Sequence, residues 1–204
     1  MTMKRVFFST ATAAGVFVAA TTFSNLPVQG HDNDRGRHDR NGESEEELKI
    51  ETGFRISPVQ LNLDHKDHDL VGLGSYIVNA QGGCNDCHTC PSYKPGHSPA
   101  TVTPGQDVEF NGLNYLAGGV VFGPFTSPNL TPDATGKPAG LTLEEFHILI
   151  RTGHDPDNPN VNALLQVMPW PVFRHTTGRD LDAIYSFLSA IPQATPGSCS
   201  GAGS

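Results

Sequence analysis

The sequence is short of positive charge. Thirteen Lys and Arg stand against 21 Asp and Glu, a formal net charge of −8. Lys4 and Arg5 both fall in residues 1–30, which hold no acid, so the chain from His31 onward carries 11 basic and 21 acidic residues, formally −10. Such a surface has little with which to neutralise phosphates, which excludes nucleic acid as a partner. Long apolar runs are missing after the first 20 residues, so no later segment reads as a membrane span. No internal repeat is visible. Sulfur and indole are scarce: three Met, four Cys and one Trp. Met1 and Met3 belong to the extreme N-terminus, which leaves Met168 alone in the rest of the chain. What is plentiful is Gly (22) and Pro (16), the composition of long ordered loops between few regular elements. A length of 204 residues suits one domain with extensions.

Residues 1–30 read as an export signal. Lys4 and Arg5 precede the apolar, small-residue run Val6–Ala20, and small residues offer cleavage points after Ala20, Ser24 or Gly30. The run is short for a membrane span and diluted by Ser and Thr, which favours cleavage over a retained anchor. Export places the protein in the periplasm or beyond, where spare thiols form disulfides. Residues 31–66 read as a polar arm, "HDNDRGRHDRNGESEEELK", then an extended lead-in broken by Pro58. His31 and His38 lie in the arm, which reads as a solvated spacer.

The folded domain is expected over 67–193, with a flexible tail at 194–204. In "DHDLVGLGSYIVNAQGG", Leu70, Leu73, Ile77 and Ala80 share one helical face. Gly72 and Gly74 inside that helix each cost about 1 kcal/mol relative to Ala, which makes sense if another helix crosses at close range. Residues 91–140 carry turn signals and little periodicity; so long a loop is reasonable if it wraps something that is not protein. Two further helices follow. "LTLEEFHILIRTG" has Thr142 and Glu145 spaced as a capping box and Gly153 as its stop. "TTGRDLDAIYSFLSAIP" places Leu181, Ile184, Tyr185 and Leu188 on one face and ends at Pro192.

Cys84-Asn85-Asp86-Cys87-His88 is a C-x-x-C-H string, the attachment pattern of c-type haem. Two cysteines three residues apart lie about one helical turn from each other, so both sulfurs reach the two vinyl groups of one porphyrin. The histidine that follows can turn its imidazole onto the iron, with its other nitrogen donating to a backbone carbonyl. Two rival readings remain. A thioredoxin-like dithiol expects a strand-turn-helix setting in an alternating β/α chain, which is not visible here. A structural zinc site would recruit Cys84, Cys87, Cys90 and a histidine, but no second C-x-x-C is present. Haem is the stronger reading.

The sixth iron position decides between electron transfer and chemistry. Met168 sits in "LLQVMPWPVF", where Pro169 and Pro171 stiffen the backbone, and it is the leading candidate for the distal ligand. His97, His154 and His175 are rivals, and an open position would mark a haem enzyme or sensor. Met/His ligation leaves no open site and favours one-electron cycling. The two cysteines outside the motif, Cys90 and Cys199, form an even pair in an oxidising compartment, and a disulfide between them is expected.

With these residues placed, the chain resembles a class I cytochrome c, and within that group the single-haem domains of bacterial alcohol, aldehyde and sugar-acid dehydrogenase cytochrome subunits. The matching segments are "GLGSYIVNAQGGCNDCH", "FGPFTSPNLTPD", "LTLEEFHILIRTG", "MPWPVF" and "RDLDAIYSFLSAIP", spanning about Leu70 to Pro192. The resemblance implies an all-α cytochrome c-like fold with long loops around one covalent haem c. It makes Cys84 and Cys87 the thioether positions, His88 the proximal ligand and Met168 the distal ligand. It also puts Gly74 and Tyr185 at the crossing of the first and last helices, "NLTPD" in a loop lining the haem pocket, and Trp170 near the haem or in ordinary core packing. The expected function is an exported mono-haem electron carrier, not itself an enzyme, serving a dehydrogenase or respiratory chain. Its donor would be a dehydrogenase and its acceptor a cytochrome or oxidase. The alternative is a haem enzyme or sensor with a labile or absent sixth ligand. The single haem motif, Cys90 directly after it and the acidic arm depart from those subunits, which often carry three haem domains.

Overall fold

The computed structural model describes residues 44–156, 160 and 163–201. The expected export signal at 1–30, most of the expected arm with His31 and His38, and the last three residues lie outside the described residues.

The helix α2 (His68–Tyr76) is the element on which the others are assembled. Asp67 caps it, its carboxylate accepting from the backbone N–H groups of Asp69 and Leu70, both at 3.0 Å. A π-helical turn (Ile77–Gln81) extends it toward α3 (Cys84–His88). Val71 and Val78 enter a main core with Tyr115, Leu116, Phe146, Leu181, Phe187 and Leu188. Leu73, flanked by Leu70 and Ile77, enters a second cluster with Ile50 and Ala183. The helix is therefore buried on two sides. Leu70, Leu73 and Ile77 share a face as expected from their spacing, but Ala80 is exposed and the opposite valine face is equally structural.

Two helices enforce this. The first, α1 (Glu45–Ile56), occupies residues expected to be arm and extended lead-in. It forms because Ser44 and Glu47 make a complete capping box: the Glu47 N–H donates to Ser44 Oγ at 3.2 Å and the Ser44 N–H to Glu47 Oε2 at 2.6 Å. Lys49 pairs with Glu45 at 2.7 Å, one turn back. Gly53 and Gly72 let α1 lie directly on α2; a Cβ on Gly53 would come within 1.9 Å of the Gly72 carbonyl oxygen. Pro58 does end the helix, two residues past its last turn.

The second is α6 (Gly178–Ala190), capped by Thr177 and buried through Leu181, Ala183, Phe187 and Leu188. Gly74 lies at its crossing with α2, where a Cβ would sit 1.9 Å from the Ala183 carbonyl oxygen. The expected partner Tyr185 faces the other way: its hydroxyl donates to Leu141 O at 2.9 Å and its ring packs on Phe146. Two positions decide this, about half a turn of the helix, since Ala183, not Tyr185, is small enough for backbone contact. Glu46 of α1 also pairs with Arg179 of α6.

Helix α4 (Leu143–Thr152) has its Thr142–Glu145 capping box formed and stops at Gly153, which adopts left-handed φ 74°. Short α5 (Trp170–Phe173) follows. The all-α expectation holds, with one addition. Strands β1 (Val120–Phe122), β2 (Phe125–Thr126) and β3 (Cys199–Ser200) make a small sheet in the order β2-β1-β3. β2 is antiparallel to β1, and β3 is parallel to it, with Val120 opposite Cys199. Residues 194–201 are thus held against the domain and not a free tail. Among the described residues no helix is long and apolar enough to cross a membrane.

Candidate cofactor site

Gly83, at φ 58°, turns the chain from the π-helical turn into α3. Within that one and a half turns of helix Cys84 and Cys87 lie three residues apart, hence on neighbouring positions of one side. Neither is disulfide-bonded. Cys84 is half-buried and packs against the main core beside the buried Tyr115. Burial, with Cys87 close by, pushes its thiol up to about 11. Burial and the Asp86 carboxylate push Cys87 up as well. Redox dithiols work through thiols shifted the other way, and no strand leads into this helix, so the dithiol reading has no structural footing.

His88 is 9 % exposed. Burial pulls its pKa below the ordinary imidazole value, so the ring is neutral at physiological pH. Its Nδ1 is 3.1 Å from the Pro128 carbonyl oxygen, which can only accept, so Nδ1 carries the proton and Nε2 is the nitrogen left to act as a ligand. The backbone around it is tied as well: Gly118 N–H donates to His88 O at 2.6 Å, and Leu116 N–H to Thr89 Oγ1 at 2.9 Å.

The two residues between the cysteines anchor the following loop. The Asn85 amide donates to Ser92 O at 3.1 Å, while its buried Oδ1 is without a partner. The Tyr93 hydroxyl donates to Asp86 Oδ1 at 2.6 Å, and burial together with that carboxylate pushes the phenol up to about 12.

Met168 is half-buried and packs against the same main core as Cys84. Its loop is pinned by the end of α4. Leu165 N–H donates to Gly153 O at 2.9 Å, and the Trp170 indole lies so close over Gly153 that a Cβ there would meet it at 2.4 Å. Trp170 thus packs on the α4 stop, with the Arg174 guanidinium 5.9 Å from its ring. Of the rival ligands, His175 is exposed, and His97 is engaged by Asp107 O at 3.0 Å and Glu109 at 3.2 Å in a loop of its own. His154 lies beside the Met168 loop, bridged to Leu164. The "NLTPD" loop is internally braced: Asn129 Oδ1 accepts from both the N–H and the hydroxyl of Thr131.

Cys90 and Cys199 lie with their sulfurs at bonding distance, 2.01 Å. Cys90 is therefore not available to a zinc site, and among the described residues no group of three or more His, Cys, Asp or Glu is placed to hold a metal ion. Two unpaired thiols, an imidazole in the Nε2-ligating tautomer and a thioether on the same core fit a covalently attached haem, and do not fit a zinc cage. Sequence reasoning left the partner of His88 open, because a carbonyl 40 residues downstream carries no residue-type signal.

No protein-family model and no solved structure matches the chain. Two curated proteins do, the "Alcohol dehydrogenase (quinone), cytochrome c subunit" of Gluconacetobacter polyoxogenes and that of Komagataeibacter europaeus. Each is 30% identical over 125 residues, 60% of this chain and 22% of the relative. The chain is similar to cytochrome c subunits. It spans about a fifth of the length of those proteins, 22%.

Proposed function

We propose that this protein is an exported, mono-haem c-type cytochrome that carries single electrons in the periplasm. Cys84 and Cys87 hold the haem through thioethers, His88 is the proximal ligand through Nε2 and Met168 the distal ligand. The observation that carries this reading is the His88–Pro128 hydrogen bond at 3.1 Å directly after the C-x-x-C string, because it fixes the ligating tautomer before any iron is bound. When bound, the haem supplies an Fe(III)/Fe(II) couple.

The chain's own residues do the rest. The raised thiol pKa values keep Cys84 and Cys87 protonated at neutral pH, which makes them poor redox nucleophiles and leaves them for attachment. The Pro128 carbonyl orients the imidazole and raises its basicity. Tyr115, Leu116, Phe146 and Phe187 keep the interior dry. Trp170 and Gly153 hold the Met168 loop in place. The donor is a dehydrogenase and the acceptor a cytochrome or oxidase; the similarity to dehydrogenase cytochrome subunits supports that place. The acid excess makes docking to a basic partner salt-sensitive.

The test is expression in a host with haem-maturation machinery. Colour that stays with the chain on a denaturing gel, and a visible spectrum that sharpens on reduction as low-spin c-type haem does, are the expected results. A colourless chain, or colour lost on denaturation, refutes the proposal.

A further inference from the structure

The segment 194–201 makes contacts out of proportion to its Gly/Ser-rich composition. Ala194 is held at both backbone groups: its N–H donates to Thr131 Oγ1 at 3.2 Å and its carbonyl accepts from Asn129 Nδ2 at 2.9 Å. Thr195 O accepts from Asn114 Nδ2 at 2.7 Å. Gly197 then passes against the main chain of Cys90, where a Cβ would come within 1.8 Å of the Cys90 carbonyl oxygen. Cys199 is linked to Cys90, and β3 pairs with β1, with Gly201 N–H donating to Val121 O at 3.1 Å.

Those attachment points flank the backbone run that carries Pro128. Pro128 O, which accepts the His88 Nδ1 proton, lies in a backbone run held by the residues leading into β1. Gly119 N–H donates to Ser127 O at 3.0 Å, Ser127 N–H to Val120 O at 2.8 Å, and Leu130 N–H to Leu116 O at 2.8 Å. On its other edge the same β1 run is paired with β3. Asn129, directly after Pro128, is bonded to Ala194. The strap thus holds the chain one residue past the Pro128 carbonyl, and again through β1. His88 itself is reached from Gly118 by a bond to its carbonyl, and from Cys90, two residues further along.

We propose that residues 194–201, locked by the Cys90–Cys199 link, are the positioning element for the proximal histidine: the strap holds the Pro128 carbonyl where it accepts the Nδ1 proton of His88. The inference rests on the haem reading above. Cys199 and Asn129 act here through Pro128, as positioning residues. A loosened strap lets Pro128 O draw away, the Nδ1–H bond weakens, and the imidazole becomes a poorer electron donor to iron. A poorer donor stabilises Fe(III) less, so the reduction potential moves upward.

The haem-loaded protein offers a selective test, because thioethers resist thiol and phosphine reductants and Cys90–Cys199 is then the one bond such a reagent cleaves among the described cysteines. The ferrous protein is treated with a phosphine, the released thiols are alkylated, and exchange of the His88 Nδ1 proton is followed by NMR. Expected are unchanged covalent haem, an Nδ1 proton exchanging about tenfold faster or more, and a midpoint potential shifted upward. Asn129→Ala, with the disulfide intact, should move both readouts in the same directions by less. Ile50→Ala, in the α1–α2 contact and remote from the strap, supplies a comparison variant of reduced global stability with neither change. Exchange and potential unaltered by cleavage, or altered equally by Ile50→Ala, would overturn the strap's role while leaving the cytochrome reading intact. A chain that takes up no covalent haem would overturn both.

Discussion

Gly74→Ala is the sharpest probe of the fold. The new Cβ would stand 1.9 Å from the Ala183 carbonyl oxygen, 2.5 Å from its carbonyl carbon and 2.8 Å from Phe187 Cβ. Real Cβ atoms do not approach closer than about 3.0 Å, and here the first two obstacles are backbone, so α6 must retreat by about 1 Å. A gap of 0.5–1 Å forfeits about a quarter to a half of each van der Waals contact it opens. The contacts affected are those of Leu73, Ala183 and Phe187, all within 5 % exposure. Overpacking of this kind costs typically about 1–3 kcal/mol, and the rigid obstacles argue for the upper end. Replacing a mid-helix glycine by alanine returns up to about 1 kcal/mol of propensity. The net is about 2 kcal/mol of destabilisation, roughly 4–8 °C in midpoint for a domain of this size. Thermal unfolding followed by helical circular dichroism measures it. Gly178→Ala is the companion: at the first turn of α6 its Cβ meets nothing within 4 Å, so it should be neutral or slightly stabilising. A Gly74→Ala protein as stable as its parent would refute the close α2–α6 crossing.

Three further outcomes are expected. Cys90→Ala with Cys199→Ala opens a link spanning 109 residues, and chain entropy sets the loss at up to about 4.7 kcal/mol; a loss below about 1 kcal/mol in guanidinium unfolding would mean the strap is held by its other contacts alone. The Glu145 carboxylate is held below its ordinary value by the Thr142 N–H and hydroxyl. Its folded value thus lies under its unfolded one, so its contribution to α4 is present above the ordinary carboxylate range and is lost as pH falls through the lowered value. Glu145→Gln should therefore be less stable than the parent at neutral pH, with the difference closing in acid, and a pH-independent difference would contradict this. Met168→Ala should lower the midpoint potential and admit carbon monoxide to the ferrous protein; an unchanged spectrum and no binding would assign the distal position elsewhere.

Where a local rule carried the information, the sequence was readable. The Thr142–Glu145 box and the Gly153 stop depend on residues close together in the chain, and both formed. The C-x-x-C-H string was legible for the same reason, its chemistry being compressed into five residues. Helix α1 was missed although Ser44–Glu47 has the same box spacing, because its polar exposed face dominated the composition and the residues it buries are few, Ile50 and Gly53. The strand β3 was illegible: two residues in a Gly/Ser-rich run have no periodicity, and their pairing with β1 is set by the path of the chain. The α2–α6 contact was anticipated through Gly74, but its partner was misassigned to Tyr185. Which side of a helix faces a glycine is decided by tertiary packing, not by the glycine.

The Cys90–Cys199 link also sets a problem of pairing order. Three thiols, Cys84, Cys87 and Cys90, fall within seven residues, whereas Cys199 lies 109 residues from Cys90. In an unfolded chain short loops close more readily than long ones, so random oxidation would join neighbours in that cluster. The long-range pair prevails only once β3 has docked beside β1, or once Cys84 and Cys87 have been withdrawn from competition. Oxidation that runs ahead of folding therefore yields chains whose attachment thiols are consumed by Cys90, and recovery then depends on thiol–disulfide exchange. The strap therefore forms correctly where docking of β3, or withdrawal of Cys84 and Cys87, comes before oxidation.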